Sequence, residues 1–365
     1  MKHIVITNQN SNVEIVDSSL ISKLAEEAQD CDASSNMTGN LQTTNAYEDD
    51  VDFLTTKFPG LSINATQGLY LKFADPEVRR VMQTNYGDIT GSQFAAITSL
   101  GNIFLDNADI ETFDELGKSG VTKLSPYEFA GCTNLRSIDV SKIVDLQSDG
   151  GLHITAPFSG CANLQSLCFT NLQYAYITSA GNTINGQRRA GFEGCTSLRS
   201  AEFPELFCTS DYYREQDYTS GVLNDGHIRV TGFYGCSSLE YVSMPKANVT
   251  CEGGDRWHAG NFDNMPNLKI IDLGNVLKFG DYFITGNTPN LKALVVRNKY
   301  FVPPITQNKS EASITNFLGN ANAIIYVDDT LYDNGDYANA SYWSSIMANV
   351  QPIRNYDKDS IMQSM

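Results

Sequence analysis

The chain has little charge and few of the residues that catalysis most often uses. Only 18% of its 365 residues are Asp, Glu, Lys or Arg, against about a quarter in an average globular protein. Its four histidines, His3, His153, His227 and His258, form no metal-binding doublet. No CxxC pair accompanies the cysteines, which argues against zinc. The GxSxG elbow, the P-loop and the GxGxxG fingerprint are all missing, so the common hydrolase, nucleotide and dinucleotide chemistries have no carrier. Positive charge is also scarce: 25 Lys and Arg stand against 42 Asp and Glu, a net charge of −17. That balance excludes a nucleic-acid backbone as partner and disfavours an anionic membrane surface. The acidity itself reads as solubility. No apolar run approaches the length that spans a bilayer, so no membrane insertion is expected. Ile4-Val-Ile6 is cut short by Thr7-Asn-Gln-Asn10, well before a signal-peptide core would be complete. The expectation is a soluble protein, not exported by the common route.

One phrase recurs instead. It reads Phe129-Ala-Gly-Cys132-Thr-Asn-Leu135, Phe158-Ser-Gly-Cys161-Ala-Asn-Leu164, Phe192-Glu-Gly-Cys195-Thr-Ser-Leu198 and Phe233-Tyr-Gly-Cys236-Ser-Ser-Leu239. Each copy runs on into Leu-x-x-φ-x-φ with φ apolar, as in Leu164-Gln-Ser-Leu167-Cys-Phe169. That period of two marks a short strand with one buried face. Pro204 and Pro245 follow two of these strands and are expected to end them. Degenerate copies continue through Phe262 to Leu273, Thr288 to Val296 and Phe317 to Val327, with Met265 in one cysteine slot. A fixed phrase at such intervals is the sign of stacked repeats that share one continuous core.

This layout removes the cysteines from chemistry. Cys132, Cys161, Cys195 and Cys236 occupy one repeat position and therefore form a ladder along the stack. A small apolar thiol suits a tightly packed interior. A catalytic thiol is one residue in one pocket, and a fourfold ladder is a packing feature. Cys31, Cys168, Cys208 and Cys251 show no pairing logic. Glu48, Asp49, Asp50 and Asp52 lack the spacing and glycine of a calcium loop and read as a solvated acidic loop. No cofactor, metal or catalytic residue is expected.

The phrase resembles the BspA-type leucine-rich repeat, whose units read roughly as Phe-x-x-Cys-x-x-Leu-x-x-φ-x-φ-Pro. The resemblance covers about Val121 to Val327 and is tightest over residues 129 to 245. The ending is similar too, through Ile325-Tyr-Val-Asp-Asp-Thr-Leu331, Tyr342-Trp343 and Val350-Gln-Pro352-Ile353, although Val327-Asp328 stands where the family has Val-Pro. The resemblance implies an α/β repeat fold, a leucine-rich-repeat solenoid of short parallel strands with irregular or short helical returns. It implies adhesion or recognition rather than a reaction. The family occurs on bacterial and protozoan surfaces and in phages of gut bacteria, Bacteroidetes phages among them.

Four regions follow. Residues 1–65 form an N-terminal arm or anchoring segment, with Gln29 to Asn45 polar and flexible. Residues 66–118 form a helical N-terminal cap, marked by Asp75-Pro76-Glu77 and by capping boxes at Thr90-Gly-Ser-Gln93 and Thr112-Phe-Asp-Glu115. Residues 119–327 are the solenoid, and residues 328–365 close it through Trp343, Ile346 and Val350. The anchors Phe129, Phe158, Phe192, Phe233 and Phe262 lie 29, 34, 41 and 29 residues apart. The surplus falls after each strand and carries Tyr174, Tyr176, Arg188, Tyr212, Tyr213, Tyr218 and Trp257. Such residue types dominate binding hot spots. They form the candidate site for a protein or a surface glycan. The expected function is non-enzymatic recognition, with the protein placed on a virion (a tail or head-fibre component attached to other virion proteins through residues 1–65) or at a cell surface. A structural assembly protein or a bacterial surface adhesin is the alternative.

Overall fold

The computed structural model describes residues 14–15, 18–30, 37–146, 156–175, 182–184, 187–189, 191–207, 233, 235–251, 262, 265–280, 283–284, 288–305 and 313–363. The chain divides into two compact units, one of residues 1–97 with 118–120, the other of residues 98–117 with 121–365.

In the first unit, helices α1 (Ser18–Gln29) and α2 (Glu48–Lys57) accompany a parallel sheet of Glu14–Ile15, Thr38–Thr43 and Gly60–Ala65. Ile21, Leu24, Leu41, Leu54 and Leu61 share its core. Thr38–Thr43 lies inside the stretch expected to be flexible; Leu41 and Thr43 point inward there, and strand pairing satisfies the backbone. The acidic run is not a loop either. Glu48, Asp49 and Asp50 make the first turn of α2, where carboxylates favour the helix dipole. Asp50 is buried, accepting from Ser22 Oγ at 2.7 Å and from Lys72 Nζ at 2.9 Å. Helix α3 (Pro76–Tyr86) starts as its sequence demands, with Asp75 accepting from the amides of Glu77 and Val78. Helix α4 (Gly91–Ala95) has the complete Thr90–Gln93 capping box.

The second unit is a leucine-rich-repeat solenoid. Its main sheet has seven parallel strands in chain order: β1 (Ser166–Cys168), β2 (Ser200–Glu202), β3 (Tyr241–Cys251), β4 (Ile270–Phe279), β5 (Ala293–Val296), β6 (Ile324–Val327) and β7 (Val350–Pro352). The φ-x-φ pairs of each strand point inward, as with Leu167 and Phe169 or Ile271 and Leu273, all at most 2% exposed. A second parallel ladder runs through Lys123–Leu124, Asp145–Leu146 and Tyr174–Ala175. It continues from Gln173 to Phe207 and Asn248 by backbone hydrogen bonds of 3.0 Å.

The phrase builds the turn between strands. Gly131, Gly160, Gly194 and Gly235 all have φ between 75° and 80°, a left-handed conformation that costs glycine nothing. Phe104, Phe129, Phe158, Phe192, Phe233 and Phe262 then stack along the axis, with centroids 5.1–6.2 Å apart and planes within 23°. Each ring is fully or almost fully buried, worth about 2–3 kcal/mol apiece. The ladder thiols lie beside them. Cys132, Cys161, Cys195 and Cys236 donate from Sγ to the carbonyls of Phe104, Phe129, Phe158 and Phe192 at 3.0–3.2 Å. All four are buried.

Three local expectations change. The helical reading of residues 66–118 holds over α3 and α4 but not beyond them. Residues 104–113 make a repeat turn, with Asp106 at φ 60° in the glycine position. The Asp106 amide donates to Ala130 O at 2.7 Å, as Gly131 donates to Ser159 O at 2.8 Å and Gly160 to Glu193 O at 2.7 Å. Thr112 accordingly sits in a two-residue strand, and the helical turn after it is a 3-10 helix over Asp114–Lys118. Pro245 does not end its strand. Strand β3 continues through it, and the register with β4 shifts between Met244 and Asn248. A bulge lets the chain pass a residue that has no N–H to give. Gly274 faces the bulge, and a Cβ there would lie 2.3 Å from Ala247 O. Finally, Val350–Pro352 does more than close the stack: it is the last strand, parallel to β6. Trp343 is fully buried behind it, with Nε1 donating to Pro303 O at 2.7 Å.

Candidate functional site: the outer face of the strand ladder

Because a strand alternates sides, fixing the inner residues fixes the outer ones. The pairing registers align two outward rows across the main sheet. One row is Ser166, Ser200, Tyr241, Ile270, Ala293 and Ile324; the other is Cys168, Glu202, Ser243, Asp272, Val295, Tyr326 and Gln351. The face is therefore graded. Its first two strands present small and polar side chains to solvent. From β3 onward it becomes apolar and aromatic.

The apolar half is not bare. Ile353, Tyr356, Ile361 and Met362 pack onto Tyr241, Ile270, Ala293, Val295 and Tyr326. The segment folds back after β7, turns through a 3-10 helix at Ile353–Asn355, and ends in a short helix, Lys358–Gln363. Asp357 caps that helix, accepting from the Ser360 amide at 3.1 Å and from Ser360 Oγ at 2.8 Å. These bonds hold its carboxyl below the usual range. The rings of Tyr326 and Tyr356 lie 5.2 Å apart. Lys358 Nζ sits 3.7 Å from the centre of the Tyr241 ring and 3.6 Å from Glu202.

Charges on the face are mostly matched. Arg297 makes a two-pronged pair with buried Asp272 at 2.7 and 2.9 Å, which raises the guanidinium pKa further. Glu240 accepts from Arg199 Nε at 2.8 Å and Lys269 Nζ at 3.1 Å; Arg199 chiefly holds its carboxyl pKa down. Cys168 is exposed on the outer row. Partial burial, with Glu202 adding to it, pushes its thiol up, away from the low-pKa environment of a reactive cysteine.

The residues proposed from sequence fare unevenly. Tyr174 lies in the second ladder, paired with Asp145. Arg188 lies on an antiparallel hairpin, Asn182–Ile184 against Gln187–Arg189. The Asn185-Gly186 pair between those strands is the sequence signal that predicts such a hairpin. Tyr176, Tyr212, Tyr213, Tyr218 and Trp257 lie outside the described residues. The repeat residues Phe129, Cys132, Leu135, Phe158, Cys161, Leu164, Phe192, Cys195, Leu198, Phe233, Cys236 and Leu239 are all at most 1% exposed. The outward residues of β3 to β6 were missed as a surface feature.

In the first unit a cavity of about 310 Å³ is lined by Ser22, Tyr47, Tyr70, Lys72 and Arg79 among others. Its cations are engaged, Lys72 with Asp50 and Arg79 with Phe73 O at 2.7 Å. Among the described residues no cluster could hold a metal ion, and no helix is long and apolar enough to cross a membrane.

Residues 93–150 and 118–213 match the family model described as BspA type leucine rich repeat region, in six copies. The match begins early enough to include the repeat turn at residues 104–113. No curated protein matches the chain in sequence. Among solved structures the chain is similar to an internalin of Listeria monocytogenes, over 87% of this chain and 75% of that one, at 13% identity and a TM-score of 0.30.

Proposed function

Starting from a chain that carries BspA-type leucine-rich repeats over residues 93–213, we propose that the protein is a non-enzymatic recognition protein. It binds a protein or a surface glycan through the strand face and the insertions between repeats. One observation carries this reading: in the sequence the surplus residues rich in Tyr, Arg and Trp fall after the strand of successive repeats, and the interior of the scaffold that carries them is locked by ring stacking. A rigid stack holds the side chains of its strand face at fixed spacing, which leaves little ordering entropy there for binding to overcome.

The finer reading places the protein on a phage particle, attached to other virion proteins through residues 1–65. The resemblance to a repeat family that occurs in phages of gut bacteria supports it. Immuno-electron microscopy of purified particles tests that placement, and absence of the chain from every particle contradicts it. Binding is tested separately, with glycan arrays and host-envelope fractions. Replacing Tyr212, Tyr213 and Trp257 together by Ala should lower the affinity at least tenfold with an unchanged melting temperature. Full binding by that variant contradicts the insertion assignment.

A further inference from the structure

The covered half of the strand face has the make-up of an occupied docking surface. Its floor is Ile270, Ala293 and Val295, each fully buried although each points to the outer side of the sheet. Tyr241 and Tyr326 wall it on either side. What buries it is a single short segment, Ile353 to Gln363, which contributes four partly buried apolar side chains. Polar ties hold the start of the segment, where the Arg354 guanidinium donates to Asp333 at 2.8 and 3.0 Å and the Arg354 amide to Asp329 at 3.0 Å; over residues 356–363 the ties to the rest of the unit include two contacts of lysines. Lys358 reaches Glu202 at 3.6 Å, and Lys269 Nζ donates to Met362 O at 3.3 Å.

The fit is imperfect in one place. The Tyr356 hydroxyl is buried with no hydrogen-bond partner among the described residues. Leaving such a group dry and unpaired costs free energy that a ligand supplying an acceptor, or placing no hydroxyl there, would not spend. Desolvation accordingly drives the Tyr356 pKa upward. The segment also forms only a six-residue helix, too short to hold itself together off the sheet.

We propose that residues 356–363 are a displaceable internal occupant of this face, and that the face takes from a partner protein a short amphipathic helix of the same pattern. That pattern is an aromatic residue, then a basic residue two positions on, then two adjacent apolar residues three and four positions further. It copies Tyr356, Lys358, Ile361 and Met362. Each part has its counterpart on the sheet: the apolar pair and the aromatic lie on the apolar floor and walls, and the basic residue meets the Tyr241 ring and Glu202. A cation over an aromatic face beside a carboxylate is recognised twice, by the ring quadrupole and by charge. The proposal rests on reading the strand face as a recognition surface, and it names the half of that face and the class of partner.

The experiment needs no external ligand, so a negative host-binding screen leaves it intact. The probe is a fluorescent peptide of residues 353–365, titrated against the full chain and against the full-length double variant Ile361→Asp/Met362→Asp, in which charge expels the segment. The peptide is expected to bind the variant at least tenfold more tightly than the unaltered chain. A Lys358→Glu peptide should lose at least fivefold of that. Equal binding to both chains, or none to a folded variant, overturns the proposal. So does a variant that no longer folds, because the segment would then be core. Hydrogen exchange on the unaltered chain gives a second reading. Amides of residues 358–363 should exchange at least a hundredfold faster than those of Ile271 to Leu273, and equal protection contradicts displacement. A concentration-dependent dimer exchanging this segment between copies would replace the partner helix by a second copy and overturn the partner assignment.

Discussion

The early and late turns of the solenoid solve one packing problem in two ways. In the early turns the Phe-x-Gly-Cys-x-x-Leu phrase is strict, and the strands are only two or three residues long. Stacked rings and thiol-to-carbonyl bonds carry them. In the late turns the phrase decays, with Met265 in the cysteine slot; β4 still reaches 10 residues, although β3, the longest at 11, follows a strict copy and β5 and β6 have four each. There the sheet is buried on both sides, by the interior below and the folded-back segment above. Loss of turn chemistry is thus met by cover on the outer face. The difference teaches that the repeated phrase specifies the turn, and the sheet can outlast it.

The comparison can be broken from the ring side first. Phe192→Ala removes a ring stacked against both Phe158 and Phe233 and should destabilise the repeat unit by about 3–5 kcal/mol, read by urea unfolding. Met265→Ala, at a late equivalent of a ladder position, should cost less, about 2–3 kcal/mol. A reversed order would mean that the late turns, not the early ones, depend on their turn residues.

The thiol ladder makes a pH-dependent version of the same test. Burial raises the Cys195 pKa from 9.0 to about 12, and that of Cys236 well above 9.0. Below pH 9 both are neutral in folded and unfolded chains and leave stability unaffected. Above it the unfolded thiols lose their protons while the folded ones keep theirs. The unfolded state then binds fewer protons, so stability falls as pH rises, by about 1.4 kcal/mol per pH unit and thiol. Cys195 alone accounts for on the order of 4 kcal/mol by pH 12. Cys195→Ala should flatten the stability profile between pH 9 and 12. An unchanged slope would place that thiol in water.

The late half has its own weak point at the bulge. Gly274→Ala puts a Cβ into the backbone of Ala247 and should cost about 1–3 kcal/mol, seen as a lower melting temperature. The smallest effect belongs to the cover. Lys358→Ala, at a half-buried position, should lower stability by about 0.5 kcal/mol, measured by chemical denaturation; a loss several times larger would make the cover part of the core.

Legibility follows the same division. The early turns could be read because their chemistry is local: a glycine forced to positive φ, a ring and a small thiol at fixed spacing. The turn at residues 104–113 was hidden because Asp106 and Asn107 stand in the glycine and cysteine positions. Asparagine and aspartate tolerate a left-handed backbone, but the motif no longer shows it. Pro245 misled for the opposite reason, a strong local signal overridden by a bulge. The covered face left a readable trace in Ala293-Leu-Val-Val296 and Ile324-Ile-Tyr-Val327. Near-continuous apolar strands are buried on both sides, whereas Ser166-Leu-Cys168 alternates. What covers them could not be read, because it depends on how far the chain folds back after β7. The proposed binding residues are the least legible, since an aromatic or basic residue outside the repeat follows no spacing rule.

The central claim is that the repeated phrase builds a closed interior and leaves recognition to the outside. Thiol labelling of the native protein, mapped by mass spectrometry, tests it within one molecule, because Cys168 sits on the outer row and four cysteines sit on the inner ladder. The account predicts that exposed Cys168 is labelled in the folded protein, slowly for a surface thiol because its pKa is raised, while Cys132, Cys161, Cys195 and Cys236 stay unmodified until the solenoid is unfolded. Labelling of the ladder cysteines in the folded protein at the rate of Cys168 would contradict it.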